Sequence, residues 1–125
     1  MKNFFIGTIV EESLEDKAVL SEAKILSTKI VSVKEKHGTP WLKKWTLRKV
    51  TVPAEKIELV ARKLSKAIDS KHANSWYADF KNDELHYIIF RSKVFVIHKN
   101  NEREYEKALQ YGIGLGIPSY QLDFC

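Results

Sequence analysis

The sequence predicts an α+β fold built on a mainly antiparallel sheet with two or three helices. Three observations favour it: short runs rich in β-branched and aromatic residues, one long amphipathic helical pattern, and three closely spaced strand patterns over 75–99. The order βαββαβ over 3–80 permits a ferredoxin-like core, extended by a C-terminal hairpin and helix. We expect residues 1–125 to form a single globular domain, since this length is typical of one.

The first strand is expected over 3–10, a run of mostly bulky apolar residues that contains one glycine. Ser13, with Asp16 three residues later, resembles a helix N-cap, so a short helix is predicted over 14–23. Residues 25–34 and 45–52 are rich in β-branched side chains, which predicts two strands joined as a long hairpin.

The clearest helix is expected after Val52. Pro53 suits the first helical position because its missing N–H has no helical partner there, and Glu55 favours the positive end of the helix dipole. The helix is predicted to fade near Asn74. Its apolar stripe consists of Ile57, Val60, Ala61, Leu64 and Ile68.

Residues 75–99 are predicted to form a three-stranded meander with two-residue turns at 82–83 and 92–93. One face then carries Trp76, Ala78, Phe80, Leu85, Tyr87, Ile89, Val94, Val96 and His98. The other face carries Tyr77, Asp79, His86, Ile88, Phe90, Phe95 and Ile97. A final helix is expected to begin after Asn101 and to stop at Gly112, with the apolar tail docking on the body.

Charge is unevenly distributed along the chain. Between Lys24 and Lys66 there are 12 Lys/Arg against 3 Asp/Glu. Lysines interleaved with tryptophans attract polyanions and offer rings on which bases stack. The sequence therefore predicts a non-enzymatic binding domain for nucleic acid or an acidic protein, contacting it through Lys34, Lys36, Trp41, Lys43, Lys44, Trp45, Arg48 and Lys49. The alternative is that the lysines protect an edge hairpin while the tryptophans fill the core.

A small enzyme is the second hypothesis. In the predicted register Asp79 lies directly opposite His86, with Tyr77 on the same face. A carboxylate beside an imidazole orients it for general acid–base catalysis. No serine, threonine or cysteine is obviously placed as a nucleophile, and such a pair also occurs as an ordinary cross-strand contact. Asp79, His86 and Tyr77 are therefore the candidate catalytic residues of a chain expected to be non-enzymatic.

A self-associating module is the third hypothesis, because an apolar second sheet face needs a cover. A homodimer would form through Ile88, Phe90, Phe95 and Ile97.

The four histidines show no metal-ligand spacing, and His98 is expected to be a hydrogen-bonded core residue. We predict no metal and no cofactor. The single cysteine, Cys125, favours a reducing cytoplasm. The apolar run at the N-terminus is too short to span a bilayer, so no membrane partner is expected.

Overall fold

The α+β class with a mainly antiparallel sheet is confirmed. A computed structural model describes residues 3–32, 44–68, 76–117 and 122. These residues form six strands and two α-helices: β1 (Phe4–Val10), β2 (Lys24–Ser32), β3 (Lys44–Pro53), α1 (Ile57–Ala67), β4 (Tyr77–Lys81), β5 (Leu85–Phe90), β6 (Lys93–His98) and α2 (Glu102–Gly114). The strands form one sheet in the order β2-β3-β1-β4-β5-β6, and every neighbouring pair is antiparallel.

The connection from β1 to β2 differs from the prediction. Two 3₁₀ helices, Glu11–Ser13 and Lys17–Glu22, stand where the sequence suggested an α-helix over 14–23. That prediction was wrong because the apolar residues of this segment do not recur on one helical stripe. Asp16 is the cap, since its carboxylate accepts a hydrogen bond from the Ala18 N–H at 2.9 Å. The ferredoxin-like arrangement stays a prediction.

The predicted helical stripe is buried, although α1 starts later and ends earlier than expected. Pro53 belongs to β3, and residues 54–56 form a 3₁₀ turn before α1 begins. Ile68 is extended and forms a bridge with Leu14, which ends the helix well before residue 74. Residues 69–75 lie outside the described part of the chain. The buried stripe is the predicted one: Ile57, Val60, Ala61, Leu64 and Ile68.

The sheet has a core on each side. The first core lies between α1 and the sheet face that carries Phe5, Val50 and Phe80, here called the α1 face. The second core lies on the opposite face, the α2 face, where α2 packs against Ile88 and Ile97. The second core covers β5 and β6, so the two helices cover different parts of the sheet.

Both hairpin turns of the meander are displaced by one residue from the predicted positions. The first lies one residue later, at 83–84, and the second one residue earlier, at 91–92. Each displacement changes the pairing by two residues, which leaves every side chain on its predicted face. The two predicted faces are therefore confirmed. Asp79, however, pairs with Ile88 and does not lie directly opposite His86.

The predicted cap of α2 is confirmed, because the Asn101 side chain accepts a hydrogen bond from the Glu104 N–H at 3.2 Å. The helix continues to Gly114, two residues beyond the expected stop at Gly112. Gly112 is instead a site of close packing, where an added Cβ would lie 2.7 Å from the Leu122 side chain. The tail thus docks on the body at Leu122, as the sequence predicted.

Candidate functional site

Half of the predicted binding hairpin falls within residues 33–43, outside the described part of the chain. This half consists of Lys34, Lys36, Trp41 and Lys43. The other four predicted residues lie on β3: Lys44, Trp45, Arg48 and Lys49.

Strand alternation separates the two adjacent cations of β3. Arg48 pairs with Ile9 on the α1 face, whereas Lys49 pairs with Thr8 on the α2 face. The Arg48 guanidinium is held by an ion pair, with Nη2 3.0 Å from Glu11 Oε1. It also donates from Nη1 to Thr28 Oγ1 at 2.8 Å. Arg48 is therefore committed to contacts within the protein.

Trp45 contributes to the interior as well as to the surface. It is half-buried and packs against the first core. Its ring centroid lies 5.3 Å from that of Trp76, which is buried, with an interplanar angle of 55°. Lys44, one residue earlier, is exposed.

Lys49 belongs to a basic surface that the sequence did not reveal. Cross-strand pairing places Lys24, Lys29 and Lys81 on the same α2 face as Lys49. A β-bulge between Ile25 and Ser27 brings Lys24 and Lys29 to one face, although residues five apart in a regular strand point to opposite faces. All four lysines are exposed, and none forms an ion pair with a described carboxylate.

Apolar side chains lie on the same face as these lysines: Ile6 lies between Lys24 and Lys81, and Phe4 lies at the end of the surface. Phe4 is 43% exposed and Ile6 is 41% exposed. One row across four strands runs from Lys24 through Thr51 and Ile6 to Lys81. At about 4.8 Å per strand the two lysines of this row have Cα atoms about 14 Å apart. We call this region the open sheet surface; it consists of Phe4, Ile6, Thr8, Lys24, Ser27, Lys29, Leu47, Lys49, Thr51, Asp79 and Lys81.

Asp79 and His86 do contact each other, diagonally across β4 and β5. His86 Nε2 lies 2.7 Å from Asp79 Oδ2, and Nδ1 lies 2.9 Å from the Tyr105 hydroxyl of α2. A carboxylate only accepts hydrogen bonds, so in the neutral ring Nε2–H donates to Asp79 and Nδ1 accepts from Tyr105. The imidazole therefore links β4, β5 and α2 through two hydrogen bonds.

This cluster differs from the predicted catalytic group in two respects. The tyrosine bonded to His86 is Tyr105, whereas the Tyr77 ring packs 5.9 Å from that of Phe90. His86 is 1% exposed, so a substrate reaches its ring only if α2 moves. His86 is therefore a buried histidine whose two ring nitrogens are both hydrogen-bonded. The catalytic assignment of Asp79, His86 and Tyr77 stays a prediction.

The apolar face proposed for a homodimer is occupied by the protein itself. Ile88, Phe90 and Ile97 are fully buried, together with Ala108 of α2 and Leu122 of the tail. A second copy would have to displace α2 to reach them. The homodimer hypothesis therefore lacks the surface on which it was based.

His98 is not a core residue, and that expectation was wrong. Its side chain is exposed at the end of β6. Its Nδ1 lies 3.1 Å from Glu104 Oε1. Hydrogen bonds from the His98 backbone N–H and ring, together with the nearby charges, lower the pKa of Glu104. The described residues contain no group of three or more His, Cys, Asp or Glu side chains placed to hold a metal ion.

In the described part of the chain, neither α-helix has the length and apolar character needed to cross a bilayer. Comparisons with protein-family models, curated proteins and solved structures find no match for this chain.

Proposed function

We propose that this protein is a non-enzymatic domain that binds single-stranded nucleic acid on the open sheet surface. The observation that carries the proposal is that Lys24, Lys29, Lys49 and Lys81 lie on one face of the sheet without ion pairs to described carboxylates, with exposed Phe4 at one end of this surface. The predicted hairpin contacts at 33–43 extend this proposal, since that segment follows β2 and precedes β3 in the chain. A cytoplasmic location stays a prediction.

The composition of the surface favours a nucleic acid over an acidic protein. Lysine ammonium groups neutralise backbone phosphates without reading sequence, and an exposed aromatic ring stacks on a base. The open sheet surface spans four strands of the sheet and carries an exposed aromatic ring, which is a platform suited to splayed single-stranded bases. A duplex would present its bases only within a groove, where a flat sheet face does not reach.

The test is fluorescence anisotropy of a labelled single-stranded oligonucleotide at 50 and 200 mM salt. Four phosphate contacts predict that affinity falls about 50-fold between these concentrations. The double variant Lys49→Ala/Lys81→Ala retains two contacts, so its affinity should fall only about sevenfold over the same range. The control variant Lys56→Ala/Arg62→Ala removes the same charge from exposed positions on or beside α1 and should retain the steep dependence.

Phe4→Ala separates stacking from charge. Loss of one stacked base costs about 1–3 kcal/mol, and it should lower affinity equally at both salt concentrations. The proposal would be rejected if the control variant reduced the salt dependence as much as Lys49→Ala/Lys81→Ala does. It would also be rejected if the oligonucleotide did not bind at 50 mM salt. Competition by polyglutamate as effective as that by oligonucleotide would point to an acidic protein instead.

A further inference from the structure

Strand β2 forms an open edge of the sheet. It is the outermost strand and pairs only with β3 among the described strands. Eight of its nine residues are exposed, and the ninth, Val31, is half-buried. An edge strand presents backbone N–H and C=O groups that another extended chain can pair with. Pairing with β3 is continuous from Ser27 to Ser32, and the bulge keeps Lys24 and Ile25 in phase with this stretch, so β2 presents regularly alternating faces to an added strand.

The two sides of this edge differ in chemistry. Ile25 and Ile30 point to the α1 face, and Ile30 is 62% exposed. Lys24 and Lys29 point to the α2 face and are also exposed. A strand added at this edge would place alternate side chains beside isoleucines on one face and lysines on the other.

We propose that β2 binds an extended segment of another protein by strand addition, and that this segment alternates apolar and acidic residues. The apolar residues would cover Ile25 and Ile30, and the acidic residues would lie beside Lys24 and Lys29. In this mode of recognition, main-chain hydrogen bonds supply affinity and the alternating side chains supply specificity. A second copy of this chain is a poorer occupant, because pairing β2 with β2 would bring four lysines along one edge.

This inference goes beyond nucleic-acid binding and does not rest on it. The peptide uses the backbone edge of β2, the α1-face isoleucines and Lys24 and Lys29, whereas the oligonucleotide uses the whole open sheet surface. The two sites share Lys24 and Lys29, but Lys49 and Lys81 belong to the oligonucleotide site alone. Lys49→Ala/Lys81→Ala should therefore weaken oligonucleotide binding and leave peptide binding unchanged. Failure of one proposal is distinguishable from failure of the other on the same set of proteins.

The experiment is anisotropy of a fluorescein-labelled octapeptide that alternates valine and glutamate. An octaglutamate of higher charge should bind at least about tenfold more weakly, because it offers no apolar residues to Ile25 and Ile30. Two further peptides carry N-methyl groups on alternate residues, in the two complementary patterns. One pattern blocks the N–H groups that face β2 and should abolish binding, and the other should leave binding intact.

Two isoleucine variants provide the matched comparison. Ile30→Ser should weaken binding of the octapeptide about tenfold, whereas Ile6→Ser, the same substitution at another exposed strand position, should not alter it. The proposal is overturned if the octapeptide does not bind, if octaglutamate binds as tightly, or if both N-methylation patterns are tolerated. A dimer in sedimentation that Ile30→Ser converts to monomer would assign the edge to a second copy and would also overturn it.

Discussion

Gly7→Ala should destabilise the protein strongly, because the neighbouring strand β4 packs directly against this glycine. Gly7 lies in the middle of β1 and pairs with Phe80 on the neighbouring strand. An added Cβ would lie 2.6 Å from Phe80 Cε1, and it would overlap Phe80 Cδ1 and the carbonyl oxygen of Asp79 still more closely. The Phe80 side chain is fully buried and the carbonyl belongs to the backbone, so neither obstacle moves easily.

The expected cost follows from this geometry. Overpacking a core typically costs about 1–3 kcal/mol, and a clash with both a buried ring and a backbone oxygen belongs at the upper end or beyond. For a chain of 125 residues, 3 kcal/mol corresponds to a decrease of about 11 °C in Tm. This is a large part of the 5–15 kcal/mol that stabilises a typical domain.

The measurement is urea denaturation followed by circular dichroism, with Tm from a thermal scan. Gly114→Ala is the matched control, because a Cβ at the last residue of α2 meets no atom within 4 Å. That variant should be stabilised by about 0.4–1 kcal/mol through the reduced entropy of its unfolded chain. A Gly7→Ala protein within 0.5 kcal/mol of the parent would refute the close packing of β1 on Phe80.

Two further predictions concern buried polar contacts. Tyr105→Phe should lower the free energy of unfolding by about 1–3 kcal/mol, because it leaves the buried Nδ1 of His86 without this hydrogen-bond donor. Urea denaturation measures this loss. An unchanged denaturation midpoint would contradict the hydrogen bond. Burial by itself raises the pKa of Glu12, but hydrogen bonds from the Thr46 N–H at 2.6 Å and hydroxyl at 2.7 Å hold this pKa below its ordinary value of 4.5. A lowered folded-state pKa contributes stability that is present above the unfolded value and is lost as the pH falls through the folded value. Thr46→Val should therefore have a lower free energy of unfolding than the parent at pH 7, and this deficit should be smaller at pH 3. An equal deficit at both pH values would refute the role of Glu12.

Local patterns predicted the parts of the fold that depend on neighbouring residues. The α1 stripe and the Asn101 cap follow from spacing within a few residues, and both are present. The predicted faces of the meander are correct although both predicted turns were misplaced, because each error changed the pairing by an even number of residues. The prediction for segment 14–23 failed because its apolar residues form no helical stripe and because its first residue is held by a contact distant in sequence, the bridge between Leu14 and Ile68.

The candidate site was only partly predictable for a related reason. The contact between Asp79 and His86 was expected, although through a different register. Tyr105 was not, because its approach to His86 depends on where α2 packs, and no local pattern gives that. Lys81 was missed because its neighbour across the sheet is β1, which lies some 75 residues earlier in the chain.

The density of positive charge along a chain is therefore a poor guide to charge on a surface when the residues lie on strands. Arg48 and Lys49 are adjacent in sequence, yet the pleat sends them to opposite faces, and Glu11 neutralises the first. A single bulge has the reverse effect on Lys24 and Lys29, which it brings to one face. Deletion of Leu26 would remove the extra residue and leave Lys24 and Lys29 four residues apart in a regular strand, so both should stay on the α2 face. The salt dependence of oligonucleotide binding should therefore be unchanged in this variant, and a decrease by about one phosphate contact would contradict this role of the bulge.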